Sequence, residues 1–478
     1  MNATYSFIND GSAQKSDIIE DVIHPFNGNS CGTYYRPASD TLTTLPDVIA
    51  RGAAAMKKCP AWQRSAMLEK SAAIMKKRKD KLSRLLALEA GKPIRHALKE
   101  VERAINTLTV SSREALHIKG ETIPFDTVPA GTGRRGIVQR FPRGAVFGIT
   151  PFNFPLNLVC HKVGPALAAG NSITVKPASA TPLSALELGA ILLEAGAPDG
   201  ACNVLPMTAA EAESFVKGPH FNLVTFTGSA EAGWRLKQLA GKKHVSLELG
   251  GNAAVVVDRD CPDLDFAVKR IILGSYAYAG QVCISVQRIC VHRDIYDDFK
   301  ARCIERIESL TIGDPLAPET DVGPMINESE AVRTETWIAE AVKSGGKIAT
   351  GGSRNGTIVT PCLLENVPAH TRVWAEEVFA PVAVLRSFDT FEEGLNLVND
   401  SRFGLQAGVF TRDLNKAFAA YDRIEAGGVI INDIPTYRLD HMPYGGIKDS
   451  GFGREGVKYA IEEMTELKLM VINSDTAG

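Results

Sequence analysis

"GAVFGITPFNFPLNLVCHKVGPALAAGNSITVKPAS", residues 144–179, is the stretch that decides the fold. An apolar run at 144–150 leads into a proline-bracketed loop, a helical pattern over 155–170 ends in glycine, and a second apolar run follows. Short buried strands that alternate with helices are typical of a parallel sheet covered by helices. The stretch therefore predicts one strand–helix–strand unit of an α/β domain.

The same alternation extends outward on the C-terminal side. "TPLSALELGAILLEAG" and "AEAGWRLKQLAG" have helical patterns, and "FNLVTFTGS" between them has the pattern of a strand. The alternation starts again at "NAAVVV" (252–257) and runs to "GGVIIND" near residue 430. Because a chain of 478 residues is too long for one ordinary core, we predict two α/β units.

The flanking segments follow other patterns. Residues from about 45 to 114 carry apolar positions at helical spacing, and residues 118–143 are strand-like and punctuated by glycine. The last apolar run, "ELKLMVINS", has the pattern of a terminal strand without a partner nearby in the sequence. Unpaired strand edges favour pairing with another chain, so we expect an extension that joins subunits.

The composition is that of a soluble globular protein, with 45% hydrophobic and 23% charged residues. The 53 basic and 55 acidic side chains give a formal net charge of -2, which argues against a nucleic-acid partner. No apolar stretch approaches the ~18 residues of a membrane span, and the N-terminus lacks the pattern of a signal peptide. We therefore expect a cytoplasmic protein without membrane or nucleic-acid partners.

The nine cysteines are odd in number and form no CxxC pair. Such spacing argues against a disulfide framework or a metal cluster and favours a reducing compartment. We expect no metal site.

The motif "GFGREG" (451–456) matches the GxGxxG pattern of dinucleotide-binding loops, but its surroundings do not match. That pattern follows a strand, opens a helix, and requires an acidic residue ~20 positions later on the next strand. Here "MPYGGIKDS" precedes the motif, and the chain ends too soon for the second strand. We predict a glycine-rich loop followed by a helix.

Four segments present reactive or polar side chains at the ends of predicted elements, where open α/β sheets form their sites. They are "ITPFNFP" with Asn153, "TVKPAS" with Lys176, "SLELGGN" with Glu248 and "YAGQVCISVQR" with Cys283. Taken singly, each also fits an ordinary structural role, such as a helix cap, a surface charge or a buried thiol. Their combination in one chain favours a joint site.

With these segments the chain resembles the aldehyde dehydrogenase superfamily, and most closely its branch of lactaldehyde and non-phosphorylating glyceraldehyde-3-phosphate dehydrogenases. The motifs that carry the resemblance, in the family's order from about residue 144 to about 456, are "ITPFNFP", "GPALAAGNSITVKPASATPLSAL", "FTGSAEAG", "LELGGN", "GQVC", "EEVFAPV" and "MPYGGIKDSGFGREG". The resemblance implies an α/β, aldehyde dehydrogenase-like fold with a Rossmann-type cofactor domain, an α/β catalytic domain and a small β oligomerisation extension. It places the discontinuous NAD(P)-binding domain at 1–117 and 144–250, the catalytic domain at 251–445, and the bridging segment of a homodimer or homotetramer at 118–143 and 460–478.

The resemblance also implies a chemistry for three of these side chains. Cys283 would attack the aldehyde carbonyl as a thiolate and form a thiohemiacetal. The side-chain amide of Asn153 and the backbone N–H of Cys283 would hold the oxyanion. After hydride transfer, Glu248 would act as the general base that activates water to hydrolyse the thioester.

For the cofactor, the resemblance implies NAD or NADP, with Lys176 near the adenosine ribose and the turn Gly228–Ser229 at a helix N-terminus under the pyrophosphate. Glu377 would hold the nicotinamide ribose, and Phe379 would pack beside the ring. NAD-preferring relatives often carry glutamate at the position of Ser179, so the serine slightly favours NADP because it removes repulsion of a 2′-phosphate. The remaining positions expected to bind the cofactor are Thr150, Pro151, Phe152 and Gly250.

The substrate is expected to be a short hydroxylated or anionic aldehyde of the lactaldehyde or glyceraldehyde type. Tyr437, Arg438 and His161 are the candidate substrate residues, and Arg438 is equally compatible with a structural ion pair to Asp440 or Asp433.

Three alternatives remain open at this point. Relatives specific for succinate semialdehyde carry arginines where this chain has His161 and Ala277, which argues against that substrate. A CoA-acylating dehydrogenase usually lacks the glutamate found here at position 248. A cysteine hydrolase would instead pair Cys283 with a histidine such as His161 or His244.

Overall fold

The structure, a computed structural model, describes residues 3–474 of the chain. Its helices are α1 (Ser39–Lys58), α2 (Ala61–Lys77), α3 (Lys79–Ala90), α4 (Ile94–Ala115), α5 (Asn157–Ala169), α6 (Leu183–Ala195), α7 (Ala209–Lys217), α8 (Ala230–Leu239), α9 (Leu264–Tyr276), α10 (Tyr296–Glu308), α11 (Glu328–Lys343), α12 (Arg372–Ala375), α13 (Phe391–Asn399), α14 (Leu414–Arg423) and α15 (Val457–Glu463). Its strands are β1 (Thr4–Tyr5), β2 (Phe7–Asn9), β3 (Ser12–Gln14), β4 (Ile19–Ile23), β5 (Ser30–Tyr35), β6 (Glu121–Pro124), β7 (Arg134–Pro142), β8 (Ala145–Ile149), β9 (Ser172–Lys176), β10 (Cys202–Val204), β11 (Leu223–Thr227), β12 (His244–Glu248), β13 (Ala254–Val257), β14 (Arg288–His292), β15 (Lys347–Thr350), β16 (Arg354–Asn355), β17 (Ile358–Val359), β18 (Cys362–Glu365), β19 (Val382–Phe388), β20 (Phe403–Gly404), β21 (Gln406–Phe410), β22 (Gly428–Ile431), β23 (Ile447–Lys448), β24 (Gly451–Phe452) and β25 (Thr465–Asn473).

Residues 144–179 form β8, α5 and β9, as predicted. All five residues of β8 and all thirteen of α5 are buried, because the sheet and its covering helices enclose them on every side. The helix ends at Gly170, whose φ of 87° lies in the left-handed region that glycine adopts without strain. The predicted parallel α/β unit is therefore confirmed.

An eight-stranded sheet surrounds this unit, in the order β24-β12-β11-β8-β9-β10-β2-β3. The five strands from β12 to β10 are parallel. The chain leaves β8 toward β9 on one side and returns to β11 on the other, so β8 is a topological switch point, where α/β sheets bind ligands. The short strand β24, from the "GFGREG" segment, pairs antiparallel with β12, and α15 follows the loop.

The second predicted α/β unit forms a seven-stranded sheet in the order β15-β18-β19-β14-β13-β21-β22, parallel except between β15 and β18. The buried apolar residues form one large cluster around each of these two sheets. A small third cluster contains Val282, Ile284, Leu405 and Tyr444, with Phe154 and Cys283 packed against it.

The terminal strand β25 pairs antiparallel with β7, and β6 completes a three-stranded sheet. Its partner therefore lies far back in the sequence, in the segment 118–143. Two short stretches of the predicted domains lie outside the described part of the chain. They are residues 475–478 of the bridging segment and residues 1 and 2 of the cofactor domain.

The N-terminal segment supplies β2 and β3 to the edge of the eight-stranded sheet. Between residues 3 and 474, none of the helices combines the length and apolarity needed to cross a membrane.

Candidate active site

The site begins where four neighbouring strands of the eight-stranded sheet end. The register pairs Ile149 at the end of β8 with Lys176 at the end of β9, and Thr227 at the end of β11 with Glu248 at the end of β12. Because parallel strands point the same way, the loops that follow them meet at one edge of the sheet. This register brings the segments around Asn153, Lys176, Gly228 and Glu248 together.

A cleft of about 690 Å³ lies along this edge. The residues predicted for cofactor binding and catalysis that line it are Thr150, Pro151, Phe152, Asn153, Lys176, Ser179, Gly228, Ser229, Gly250, Cys283, Glu377 and Phe379. The cleft thus joins one reactive sulfur to the strand ends of the eight-stranded sheet and to the loops that precede β14 and β19 of the seven-stranded sheet.

Cys283 reaches the cleft from an unusually tight turn. Tyr278, Ala279 and Gly280 have φ values of 51°, 52° and 67°, so three successive residues occupy the left-handed region. Position 280 requires glycine because a side chain there would collide with the carbonyl of Ala380. The turn is held by the buried Tyr278 hydroxyl, which donates to the Ala90 carbonyl at 2.8 Å. Such strain persists only where the surroundings enforce it.

The Cys283 sulfur lies 3.1 Å from the hydroxyl of Tyr444. Burial raises the pKa of the Cys283 thiol to about 11, against the lowering effects of the Tyr444 hydrogen bond and of Arg438. The resting side chain at neutral pH is therefore a thiol, and the thiolate expected from the resemblance has to be generated for reaction.

Asn153 is buried and lines the same cleft as Cys283. Its side-chain nitrogen donates to the Gln281 carbonyl at 2.9 Å, and one amide N–H remains for another acceptor. The backbone N–H of Cys283 makes no hydrogen bond within the described part of the chain. These two N–H groups are suited to receive a developing oxyanion.

Glu248 is buried at the end of β12, next to the cleft but not among its lining residues. Among the described residues, neither of its carboxyl oxygens has a hydrogen-bond partner. Burial raises its pKa well above the usual range, the nearby charge of Glu455 adds to this, and Arg438 and Lys162 oppose it. A carboxyl group in this state becomes a base only as the pH rises or the site opens.

A buried charge cluster lies behind Glu248. Glu455 is within 3.2 Å of the Lys162 ammonium and 3.0 Å of the Arg438 guanidinium. Burial raises the pKa of Glu455, but these two cations outweigh burial and lower the pKa to about 2. The two cations therefore favour the ionised form of Glu455, whereas burial and the charge of Glu455 favour the protonated form of Glu248.

The second sheet supplies the opposite wall of the cleft. Glu377 accepts a hydrogen bond from the Gly251 N–H at 3.0 Å, and burial raises its pKa to about 7. Phe379 has a φ of 52°, and its ring meets Phe152 edge to face at 5.8 Å between centroids. An acidic acceptor and a flat apolar surface thus lie side by side in the cleft.

The other end of the cleft has the features of a nucleotide site. Ser229 caps the N-terminus of α8, and its hydroxyl accepts from the Ala232 N–H, so this helix end faces the cleft as an anion site. The buried Thr150 hydroxyl has no partner among the described residues and is available to a ligand. Together with Lys176, whose pKa is lowered by burial, these groups fit a dinucleotide.

The three candidate substrate residues do not line the cleft. His161 is fully buried, and its Nε2 lies 3.0 Å from a carboxyl oxygen of Asp440. Tyr437 is half-exposed and is held through its backbone: its N–H donates to the Ile434 carbonyl, and its carbonyl accepts from the Gln406 side-chain amide. Arg438 is buried behind Tyr444, with its guanidinium 3.6 Å from the centre of that ring.

Arg438 forms a structural ion pair, but the predicted partners, Asp440 and Asp433, were wrong. Arg438 pairs with Glu455, whereas Asp440 pairs with Arg103 at 2.9 Å and Asp433 pairs with Arg270 at 2.7 Å. Adjacent positions along a loop point in different directions, so nearness in sequence did not identify the partner.

The histidines of the hydrolase alternative are occupied elsewhere. His161 is bound to Asp440, and His244 forms a 2.5 Å contact with Glu463. The group that contacts the Cys283 sulfur is the Tyr444 hydroxyl, which the sequence interpretation did not single out. The available signal was the "MPYGGIKDSGFGREG" segment itself, which contains Tyr444 and Glu455.

Comparison with known proteins agrees with this geometry. The family model described as the aldehyde dehydrogenase family matches residues 12–470. The 3-sulfolactaldehyde dehydrogenase of Priestia aryabhattai is 45% identical over 444 residues, which cover 92% of this chain and 93% of that protein.

Solved structures are equally similar. Aldehyde dehydrogenase 21 from Physcomitrella patens, in complex with the reaction product succinate, has a TM-score of 0.98 at 42% identity and covers 100% of both chains. The glyceraldehyde-3-phosphate dehydrogenase GapN from Methanocaldococcus jannaschii, complexed with NADP, has a TM-score of 0.92 at 37% identity, over 96% of this chain and 100% of that one. The chain therefore belongs to the aldehyde dehydrogenase family, and it oxidises an aldehyde with NAD or NADP.

Proposed function

We propose that the protein oxidises a short hydroxylated or anionic aldehyde to the carboxylic acid through a covalent intermediate on Cys283. The observation that carries the proposal is the single cleft that joins the Cys283 sulfur and the Asn153 amide to the strand-end residues of a nucleotide site.

In the first half of the reaction, Cys283 loses its proton and its sulfur attacks the carbonyl carbon of the aldehyde. The C–S bond forms as the C=O π pair moves to oxygen, where the N–H groups of Asn153 and Cys283 stabilise the negative charge. Bound NAD or NADP supplies the acceptor for the hydride. Loss of that hydride leaves a thioester on Cys283.

In the second half, Glu248 takes a proton from water, and the water oxygen attacks the thioester carbonyl. The C–S bond breaks and releases the acid and the Cys283 thiolate. The buried position of its carboxyl group, without partners among the described residues, supports this role because the group has no competing structural function. A glutamate at this position also argues for water rather than CoA as the acceptor.

We propose that Thr150, Lys176, Ser179 and the turn at Gly228–Ser229 hold the adenosine and pyrophosphate part of the cofactor. Pro151, Phe152, Gly250, Glu377 and Phe379 would hold the nicotinamide part. The exposed serine at position 179 and the cation Arg235 at the same end of the cleft favour NADP.

The relatives support an anionic substrate. The Priestia protein is named for 3-sulfolactaldehyde, a lactaldehyde that carries a sulfonate, and the M. jannaschii structure for glyceraldehyde-3-phosphate. Succinate semialdehyde remains the second candidate, because the Physcomitrella structure contains succinate as its product.

We further propose the domain limits implied by the resemblance, with the bridging segment at 118–143 and 460–478 joining two or four copies. β25 is an edge strand whose residues 466–473 are all exposed, and α14 exposes Leu414, Phe418 and Tyr421. Apolar surfaces of this kind are usually covered in an oligomer. All nine cysteines are free thiols, which supports a cytoplasmic location.

The test is the formation of reduced nicotinamide, followed by absorbance, with NAD and with NADP. The aldehydes would be lactaldehyde, 3-sulfolactaldehyde, glyceraldehyde, glyceraldehyde-3-phosphate, succinate semialdehyde and a plain aliphatic aldehyde. A kcat/KM at least ~10-fold higher for the hydroxylated or anionic aldehydes would support the proposal. A preference for the aliphatic aldehyde would contradict it, and Cys283→Ser is the control that has to remain inactive.

A further inference from the structure

Tyr444 is the side chain that touches the reactive sulfur. Its hydroxyl lies 3.1 Å from the Cys283 sulfur, across 161 residues of sequence. The side chain is 3% exposed, and it belongs to the small apolar cluster on which Cys283 packs. Water therefore competes little for this hydrogen bond.

The position of the Tyr444 hydroxyl is fixed by a closed set of contacts. The backbones of Tyr444 and Glu455 exchange hydrogen bonds of 3.0 and 2.6 Å. The Glu455 carboxylate accepts from Arg438 at 3.0 Å, and the Arg438 guanidinium lies 3.6 Å from the centre of the Tyr444 ring. Tyr444, Glu455 and Arg438 thus contact one another in a closed set. A rotation of the Tyr444 ring away from Cys283 would break at least one of these contacts.

The chemistry of these contacts favours donation by the phenol. Burial raises the pKa of Tyr444 well above its usual value, and the nearby Cys283 adds to this, so the hydroxyl keeps its proton. A guanidinium over the ring face withdraws electron density from the phenol, which makes its O–H a stronger donor. A thiolate is a charged acceptor, and a hydrogen bond to a charged group is stronger than one to a neutral thiol.

We propose that Tyr444 is a catalytic residue that donates a hydrogen bond to the Cys283 thiolate and so makes the nucleophile available. Arg438 acts through Tyr444 as its positioning residue. The proposal gives a role to Tyr444 and Arg438, to which the expected oxyanion and water sites assign none.

The surroundings of Cys283 contain more groups that oppose the thiolate than groups that favour it. Burial opposes formation of the thiolate, and Glu377 and Glu248 oppose it as well when they are ionised. Arg438 and the Tyr444 hydroxyl are the groups that favour it. Removal of the hydroxyl therefore leaves the cation alone against burial and two acidic groups.

The test is alkylation of Cys283 by iodoacetamide across a pH series, in the full-length protein without aldehyde or cofactor. The modified Cys283 peptide is quantified by mass spectrometry, since eight other cysteines are present. The proposal takes Cys283 as the nucleophile of the proposed function, but this readout measures only the thiol. A wrong substrate assignment would leave it unchanged.

In Tyr444→Phe, we expect the inflection of the alkylation profile to move to higher pH by about one pH unit. A more basic thiolate is less abundant at neutral pH, but each thiolate is intrinsically more nucleophilic. The alkylation rate at neutral pH should therefore fall roughly 3- to 10-fold. The matched control is Tyr276→Phe, which removes a buried hydroxyl bonded to the Cys362 carbonyl and should keep the wild-type profile. Equal profiles for Tyr444→Phe and wild type would overturn the proposal.

A second variant covers the case in which Tyr444→Phe does not fold. Placing 3,5-difluorotyrosine at position 444 keeps the ring and hydroxyl but makes the phenol more acidic and a stronger donor. The inflection should then move to lower pH than in the wild type. A shift to higher pH, or none, would contradict donation by Tyr444.

Discussion

At the scale of single residues, burial favours the neutral form of both reactive groups of the site. Burial raises the pKa of both Cys283 and Glu248, and the groups that counteract it are Arg438, Lys162 and the Tyr444 hydroxyl. The Glu248 carboxyl is protonated at low pH and gains its function as a base as the pH rises through its raised pKa. Hydrolysis of the thioester should therefore accelerate toward alkaline pH.

The first prediction concerns Glu248→Gln. This variant keeps the size of the side chain but cannot take a proton from water, so a first burst of reduced cofactor should be followed by steady-state turnover slowed about 10²- to 10⁴-fold. Stopped-flow absorbance measures both phases. The remaining slow rate should lose the alkaline rise of the wild type, and Cys283→Ser should lack the burst. A steady-state rate equal to that of the wild type would remove Glu248 from its role.

At the scale of elements, two neighbouring helices form the rim of the nucleotide end of the cleft. Arg235 on α8 is 66% exposed and forms a 2.6 Å ion pair with Glu213 on α7, which also binds Lys217 at 2.8 Å. Arg235 and Glu213 both line the cleft with Ser179. The cation would attract a 2′-phosphate, whereas the carboxylate would repel it.

The second prediction is that this pair tunes the choice of cofactor. Arg235→Ala should weaken NADPH binding roughly tenfold and leave NADH binding nearly unchanged, because only NADPH carries the extra phosphate. Glu213→Gln should strengthen NADPH binding. Fluorescence titration of the reduced cofactors measures both without turnover.

The control on the same helix is Lys237→Ala. Lys237 lies over the Phe452 ring at 3.5 Å and is not among the residues that line the cleft. Parallel losses of NADPH and NADH affinity in Arg235→Ala would show that the arginine does not discriminate between them.

At the scale of the whole molecule, the exposed apolar strand β25 is the feature that a monomer does not explain. Leu467, Leu469 and Met470 are half or more exposed on an edge strand, where unpaired backbone groups are available to another chain. The α/β core itself is complete without a partner, because each large sheet has its own buried cluster.

The third prediction is that the chain of 51.4 kDa elutes as a dimer or tetramer and that Leu469→Asp shifts it toward the monomer. A charge at the centre of an apolar interface should weaken association by roughly 30-fold or more. Sizing with light scattering at several concentrations measures this. Val342→Asp, at an exposed apolar position on α11, is the control and should leave the mass unchanged; a wild type that elutes as a monomer would contradict the prediction.

The sequence by itself determined the α/β alternation and much of the cleft. The residues at the ends of β8, β9 and β11 were identifiable because parallel strands bring their carboxyl ends to one edge, whatever the details of packing. Family motifs then pointed to Cys283 and Glu377, which lie in the loops that precede β14 and β19 of the second sheet. In each case the signal was local in sequence, either a periodicity or a motif.

Only the tertiary structure decided which groups contact each other across the site. Tyr444 meets Cys283 across 161 residues, and His161 meets Asp440 across 279 residues. Arg438 pairs with Glu455 rather than with the nearer aspartates. Side-chain direction and burial are set by the packing of distant elements, and burial in turn decides whether Cys283 and Glu248 are charged, so neither property is visible in a local pattern of residues.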